Sequence, residues 1–304
     1  MALIEAEVGA YAVSSKWRVL DLLEFKGFVG YERGALLIGD TPVPLDAVAT
    51  ILLGQKATWG YGLVAAAERF DVQVIVCDWR SLPVGILQHF SHASRVGARQ
   101  RAQAVLKQRT KDAAWRRIVR AKVLGQSAML SKVGKIHDSR HLKELSTLVQ
   151  PGDSTNIEGA AAKYYWSRVL PGFSRRQESS DFTNVALNYG YTVLRGCVLS
   201  SICAAGLLPG LGIHHGSAVN PFPLADDLIE PFRPAVDSAV VGLVKAGFDE
   251  LNRDARKALA GVLELQADGI GPRLRTQVAD LCQAYGKFVE RESPSLRVPV
   301  WSGS

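Results

Sequence analysis

Three short stretches carry ionisable groups in patterns able to do chemistry. In NIEGAAAKYYW (156–166), Asn156 is placed to cap a helix whose first turn holds Glu158, and Gly159, Ala160, Ala161 and Ala162 keep that helix slim enough to pack closely. An acid there also has an ordinary explanation, because carboxylates complement the positive end of a helix dipole. In LGIHHGSAVNPF (211–222), His214 and His215 follow a Gly-Ile turn and so lie in a loop, not on an apolar helix face. Imidazole is the commonest metal ligand and a common proton carrier near neutral pH. In LADDLIEPFRPAVD (224–237), Asp227 and Glu230 are three residues apart, which puts both carboxylates on one side of a helical turn. A carboxylate pair beside a histidine suits a hard divalent ion such as Mg²⁺ or Mn²⁺. His215 and Glu230 are 15 residues apart, a separation that permits their approach without forcing it; a surface helix with ordinary acids fits the same residues.

The elements that must position these groups change character near residue 90. Before it the chain reads as mostly β. Trp17–Leu23 is a strand, Phe28–Tyr31 and Ala35–Ile38 flank the hairpin signal Glu32-Arg33-Gly34, and Leu45–Leu53 and Val72–Cys77 are apolar, β-branched runs. Trp59–Phe70 is a short helix, and Leu82-Pro83-Val84-Gly85 breaks the chain. From about residue 91 the period is helical, over Val96–Gln108 and Ala113–Leu124. Pro151-Gly152-Asp153-Ser154 is a turn, helical patterns resume at Asn156, and Leu208-Pro209-Gly210 breaks them before the histidines. Helices are predicted over 235–250 and 272–291, with an extended tail. The expectation is an α+β protein: a small β-rich domain over 1–90, then a larger all-helical domain over 91–304.

Composition narrows the partners. Of 304 residues, 47% are hydrophobic and 21% charged, a balance able to bury a core. No apolar run approaches the roughly 18 residues of a membrane span, and Glu5 and Glu7 stand where a signal peptide would be basic. A soluble, cytoplasmic protein without membrane partners is expected. Cys77, Cys197, Cys203 and Cys282 form no CxxC pair, which argues against zinc and redox motifs. The net charge is +7, yet the window from Arg95 to Lys143 holds 14 basic and 2 acidic residues, so the rest is mildly acidic. Arg99, Lys107, Arg116, Arg117, Arg120 and Lys122 fill one side of the helices there, as a polyanion-binding surface or a solvated helical face would. Phosphate-loop, HExxH and GxSxG motifs are absent.

Three blocks then carry a family resemblance. EGAAAKYYW, DFTNVALNYGY (181–191) and GIHHGSAVNPFPLADDLIEPFRPAVD (212–237) resemble, in order and spacing, those of the CRISPR-associated integrase family, the Cas-one family. PLDAVATILLG and VQVIVCDWRSLPVG resemble its first domain, and the histidine-containing block looks most like the branch found with type II systems. The resemblance implies a β-rich N-terminal domain serving dimerisation, a helical catalytic domain and a homodimer. Carried over by position, it implies a catalytic metal site of Glu158, His215 and Glu230 holding Mg²⁺ or Mn²⁺, with Asp227 in reserve beside Glu230 and His214 beside His215. Asn188 and Tyr189 are implied as supporting residues, and Arg233 joins the basic helices in holding phosphates of double-stranded DNA. The implied reaction joins the 3′-hydroxyl ends of a short donor duplex into a CRISPR repeat array by transesterification, the spacer-acquisition step of antiviral defence. A small adaptation subunit bridging two dimers is the implied partner, with type II effector and accessory proteins beyond it.

Three rival readings stand beside this one. A metal-dependent nuclease would cut DNA without joining it. A non-catalytic DNA-binding scaffold would be indifferent to Glu158→Ala. A recombinase-like mechanism would use Tyr165 or Tyr189 as a covalent nucleophile.

Overall fold

The computed structural model describes residues 18–70, 72–79, 83–87, 95–176, 178–216, 219–266 and 271–303; Trp17 and Leu82 of the elements above, with Glu5 and Glu7, lie outside them. The chain divides into two compact units between residues 89 and 90, the first rich in strands and the second in helices, an α+β architecture as expected.

In the first unit, β1 (Arg18–Leu22), β2 (Gly27–Glu32), β3 (Ala35–Ile38), β4 (Thr41–Pro44), β5 (Val48–Leu53), β6 (Ala57–Trp59), β7 (Gln73–Cys77) and β8 (Pro83–Leu87) form two four-stranded sheets, ordered β1-β5-β7-β8 and β4-β3-β2-β6. The predicted hairpin is present. Glu32 pairs with Ala35 across Arg33 and Gly34, whose positive φ angles (50° and 87°) give a two-residue turn with the twist antiparallel strands need. β4, with Pro42 and Pro44, escapes a reading by propensity; it is tolerated because it is an edge strand. For the same reason the predicted break at 82–85 is corrected: Pro83 opens the edge strand β8, which runs antiparallel to β7. The Leu45–Leu53 run begins as a 3-10 turn over Leu45–Ala47, and Trp59 belongs to β6, so that α1 spans Tyr61–Phe70. Its Leu63, Ala66 and Ala67 recur at helical spacing and close the core with Val29, Leu36, Ile51, Leu53 and Val74.

The second unit contains α2 (Val96–Ala104), α3 (Gln108–Lys132), α4 (Ile136–Leu148), α5 (Ile157–Val169), α6 (Phe182–Ala204), α7 (Pro223–Leu228), α8 (Arg233–Lys245), α9 (Arg253–Ala260) and α10 (Leu274–Val289) among the described residues. The helix expected over 96–108 ends at Ala104. The one expected over 113–124 is the middle of the 25-residue α3. This helix is central to the unit: its faces meet α4, α5, α8 and the 3-10 turn Glu230–Phe232. No helix among the described residues is long and apolar enough to cross a membrane.

Candidate active site

The start of α5 is capped without help from Glu158. Asp153 (φ 52°) and Asn156 (φ 53°) both take the left-handed conformation, one that asparagine and aspartate tolerate better than most residues. The Asp153 carboxylate accepts from the backbone N–H groups of Ile157 (3.0 Å) and Glu158 (2.9 Å), and Asn156 Oδ1 accepts from Gly159 (3.3 Å). With the orphan donors of the first turn so occupied, the Glu158 carboxylate is turned to another partner: Lys122 Nζ of α3 donates to its Oε1 at 2.6 Å.

The same ammonium lies 2.5 Å from Glu230 Oε2, and Arg233 Nε lies 2.7 Å from Glu230 Oε1. Glu158 and Glu230, 72 residues apart in sequence, thus meet on one lysine. Glu230 is 4% exposed. Burial alone would raise its carboxyl, but the Arg233 and Lys122 charges outweigh burial and hold it at about 2. Burial likewise works against the Lys122 ammonium, and the Glu230 and Glu158 carboxylates reverse the balance and raise it. Arg233 is further fixed by lying over the Tyr191 ring, 4.5 Å from its centroid.

His215 reaches the cluster through a latched loop. Asp227, 0% exposed, accepts from the backbone N–H groups of Ile213 (2.5 Å), His214 (3.1 Å) and His215 (3.1 Å), and from the His215 ring at Nδ1 (2.7 Å). Gly212 makes the approach possible, because a Cβ there would sit 2.3 Å from the His215 carbonyl oxygen and 3.1 Å from Asp227 Oδ2. A carboxylate can only accept, so the shared proton sits on Nδ1, and in the neutral ring Nε2 keeps a lone pair facing away from Asp227. The Asp227 hydrogen bond raises the His215 imidazole; burial opposes this, and the Glu230 and Glu158 charges add to the rise, which places both glutamates within electrostatic reach of the ring. His214 stacks flat on Trp115 of α3, with centroids 4.5 Å apart and planes 1° from parallel, while His215 meets the same indole edge-on at 5.6 Å.

The structure therefore brings Glu158 and Glu230 together on Lys122, leaves His215 near enough for both charges to act on its ring, and gives Asp227 and His214 other partners. Both Asp227 oxygens are committed to the loop, and the His214 ring is committed to Trp115. Among the described residues no three histidine, cysteine or carboxylate side chains converge on a ready cage for an ion; the gap between Glu158 and Glu230 is filled by the Lys122 ammonium. That buried cation is the test of fit for a divalent ion. The two carboxylates are already arranged around positive charge, and with an imidazole whose other nitrogen is anchored they are of the ligand types that could hold a hard divalent ion.

Several expected phosphate-holding residues are placed differently. Arg99, 9% exposed, is corrected to a structural residue: it donates to Glu290 (3.0 Å), to the Ala205 carbonyl (2.7 Å) and to Gln283 (3.0 Å), tying α2 to α10 and to the end of α6. Replacing it by alanine is expected to cost about 2–4 kcal/mol in a urea melt, because buried acceptors lose their donor, with no change in the salt dependence of DNA binding. Lys122 and Arg233 likewise point into the carboxylate cluster. Lys107 and Arg117 are exposed and Arg116 and Arg120 half-buried; Arg116, Arg117 and Arg120 share one face of α3.

Tyr165 and Tyr189 are both 0% exposed, which removes them as nucleophiles. Burial, with the Asp237 charge next in weight, drives the Tyr165 hydroxyl well above its ordinary value. Asp237, 2% exposed, accepts a hydrogen bond from Tyr191 and is pushed up to about 6 by burial. Sequence reading passed over Trp115 and this Tyr–Asp network; an indole inside the basic AAWRR run was the available signal for the first.

Comparison with known proteins adds a family-level result. The model of a family described as CRISPR associated protein Cas1 matches residues 32–264. A CRISPR-associated endonuclease Cas1 of Neisseria meningitidis is 34% identical over 236 residues, covering 76% of this chain and 77% of that protein. Among solved structures, a casposase bound to integration product superposes with a TM-score of 0.74 at 19% identity, over 95% of this chain and 93% of that one. A Cas6-RT-Cas1–Cas2 complex superposes with a TM-score of 0.71 at 18% identity, over 94% of this chain and 36% of the chain compared.

Proposed function

The chain belongs to the Cas1 family of CRISPR-associated proteins, and from that premise we propose that it is a Mg²⁺- or Mn²⁺-dependent integrase of spacer acquisition. It joins the 3′-hydroxyl ends of a short duplex to the repeat array by transesterification. The observation that carries this reading is the meeting of Glu158 and Glu230 on one buried ammonium, beside an imidazole latched by Asp227.

Glu158, Glu230 and His215 are the residues that would hold the ion. When bound, the ion polarises the phosphodiester and stabilises charge on its oxygens. In the step itself, the donor 3′-oxygen forms a bond to phosphorus while the target strand's 3′-oxygen leaves, so phosphodiesters are exchanged with no net hydrolysis. The proton of the attacking hydroxyl passes to solvent, and the departing 3′-oxygen takes one from solvent, while Asp227 holds the His215 ring in place through Nδ1. Arg233, fixed on Tyr191, supplies a positive charge beside the reacting phosphate. Lys107, Arg116, Arg117 and Arg120 hold DNA phosphates, contacts that position a duplex without reading its sequence. The name of the Cas1–Cas2 complex supports a small adaptation subunit as partner. Homodimerisation through the β-rich domain and action alongside type II effector and accessory proteins complete the reading.

The test is an integration assay with short duplex, supercoiled target and either ion. Wild type is expected to give strand-transfer products longer than the input, and Glu158→Gln to lose at least about 100-fold in rate while keeping its fold. Products only shorter than the input would favour a nuclease, a reading that the endonuclease name of the Neisseria relative supports. Undiminished strand transfer by Glu158→Gln, His215→Ala and Glu230→Gln would sink the metal-site assignment.

A further inference from the structure

We propose that Lys122 is a built-in counter-ion that holds the metal-binding carboxylates together until a divalent ion takes its place, after which its ammonium turns to the DNA phosphate. This inference rests on the metal-site reading above and adds a residue to it.

The argument is one of charge and mobility. Glu158 and Glu230 carry two negative charges, and Lys122 and Arg233 already balance them. A divalent ion entering that neutral, largely buried cluster adds two positive charges with no anion to meet them, an arrangement that low polarity makes costly. The excess is relieved if a cation moves away from the carboxylates, if a phosphate arrives, or by both together. Of the two cations, Arg233 is fixed, paired to Glu230 and lying over the Tyr191 ring. Lys122 is a compact charge on a flexible four-carbon stem, held by oxygen contacts at 2.5 and 2.6 Å that an incoming ion would take over. The way out is also visible: the Glu158 side chain is 24% exposed against 5% for Glu230, so the cluster opens to solvent on the Glu158 side. A phosphodiester approaching from that side would meet the released ammonium. Metal binding and DNA binding are thereby coupled through one side chain, and the coupling must be reciprocal. The site therefore holds the ion more weakly until its substrate is present.

The experiment measures Mn²⁺ binding to the metal-stripped full chain by titration calorimetry. It is run alone and with a duplex whose 3′ ends lack the hydroxyl, so that no reaction occurs. Wild type is expected to bind Mn²⁺ at least ten-fold more tightly with the duplex than without it. Lys122→Met is expected to bind Mn²⁺ alone at least ten-fold more tightly than wild type, with the effect of the duplex largely gone. Equal affinities of the two proteins, or a duplex effect unchanged in Lys122→Met, overturn the inference. Mn²⁺ binding undiminished in Glu158→Gln and Glu230→Gln overturns the metal site itself, and the inference falls with it. Should Lys122→Met fail to fold, reductive methylation of wild type, read by mass spectrometry, decides. Lys122 is expected to be protected in the metal-free protein and several-fold more reactive at saturating Mg²⁺; protection unchanged by Mg²⁺ overturns the proposal.

Discussion

Glu230→Ala is expected to lower stability by about 3–5 kcal/mol, the cost of breaking a buried ion pair, and to abolish strand transfer, whereas Glu158→Ala abolishes strand transfer at less than about 1 kcal/mol. The two glutamates touch the same ammonium, but their surroundings differ. Glu230 is 4% exposed and answers both Lys122 and Arg233. Without it, the Lys122 ammonium and the half-buried Arg233 guanidinium are left with Glu158 alone. Removing Glu158 leaves Lys122 and Arg233 both paired to Glu230, with the one unbalanced positive charge on the solvent-facing side of the cluster. The pH dependence separates the cases further. Lys122 and Arg233 hold the folded Glu230 carboxyl at about 2 against burial, below its ordinary value of 4.5. Its contribution is therefore complete above that ordinary value and is lost as pH falls through about 2. Urea melts of wild type should weaken across that acid window, and those of Glu230→Ala should weaken less. Equal midpoints for Glu230→Ala and Glu158→Ala at neutral pH would show that the cluster is not the buried ion network described.

Residue types announced the candidate site; directions did not. Glu158, the histidine pair and the Asp227–Glu230 pair all stood out in the sequence, and the change from strands to helices near residue 90 followed from periodicity. Helical spacing of three, however, predicts that Asp227 and Glu230 face the same way. In the fold α7 ends at Leu228 and the chain enters a 3-10 turn at Glu230, so one carboxylate serves the histidine loop and the other serves Lys122. Charge counting read Arg99 and Lys122 as outward-facing, because a count of charge carries no direction; burial and ion pairs turn both inward, and an ion pair to Glu230 does the same for Arg233, which the resemblance had assigned to phosphates. The length of α3 was hidden for a related reason. Its last third buries Gly125, Gln126, Ser127, Met129 and Leu130 nearly all round, so no single apolar stripe marks it. In α4 the buried residues are Ser139, Leu142 and Ser146, too few apolar positions to give a helical period.

Asp227→Asn is expected to slow strand transfer about 100-fold, without Asp227 touching metal or DNA, because loosening a ligand's anchor or misplacing it by an ångström costs that much. The carboxylate accepts four hydrogen bonds, three from consecutive backbone N–H groups and one from the His215 ring. Asparagine offers one oxygen, and its amide hydrogens would face donors whichever way the group is turned. At least one N–H of residues 213–215 then loses its acceptor, and where the amide nitrogen meets the ring the His215 proton moves from Nδ1 to Nε2, removing the lone pair from the side facing the glutamates. Two measurements separate this positioning role from a general loss of structure. Hydrogen exchange should accelerate at residues 213–215 while remaining slow in α3 and α8. His215→Ala should cost far less in the Asp227→Asn background than in wild type, since residues acting as one unit are non-additive. Full additivity of the two changes, or exchange in the loop as slow as in wild type, would sink the role assigned to Asp227. A rate loss confined to the asparagine variant, with Asp227→Glu recovering part of it, would identify carboxylate charge and acceptor count as what holds His215 in place.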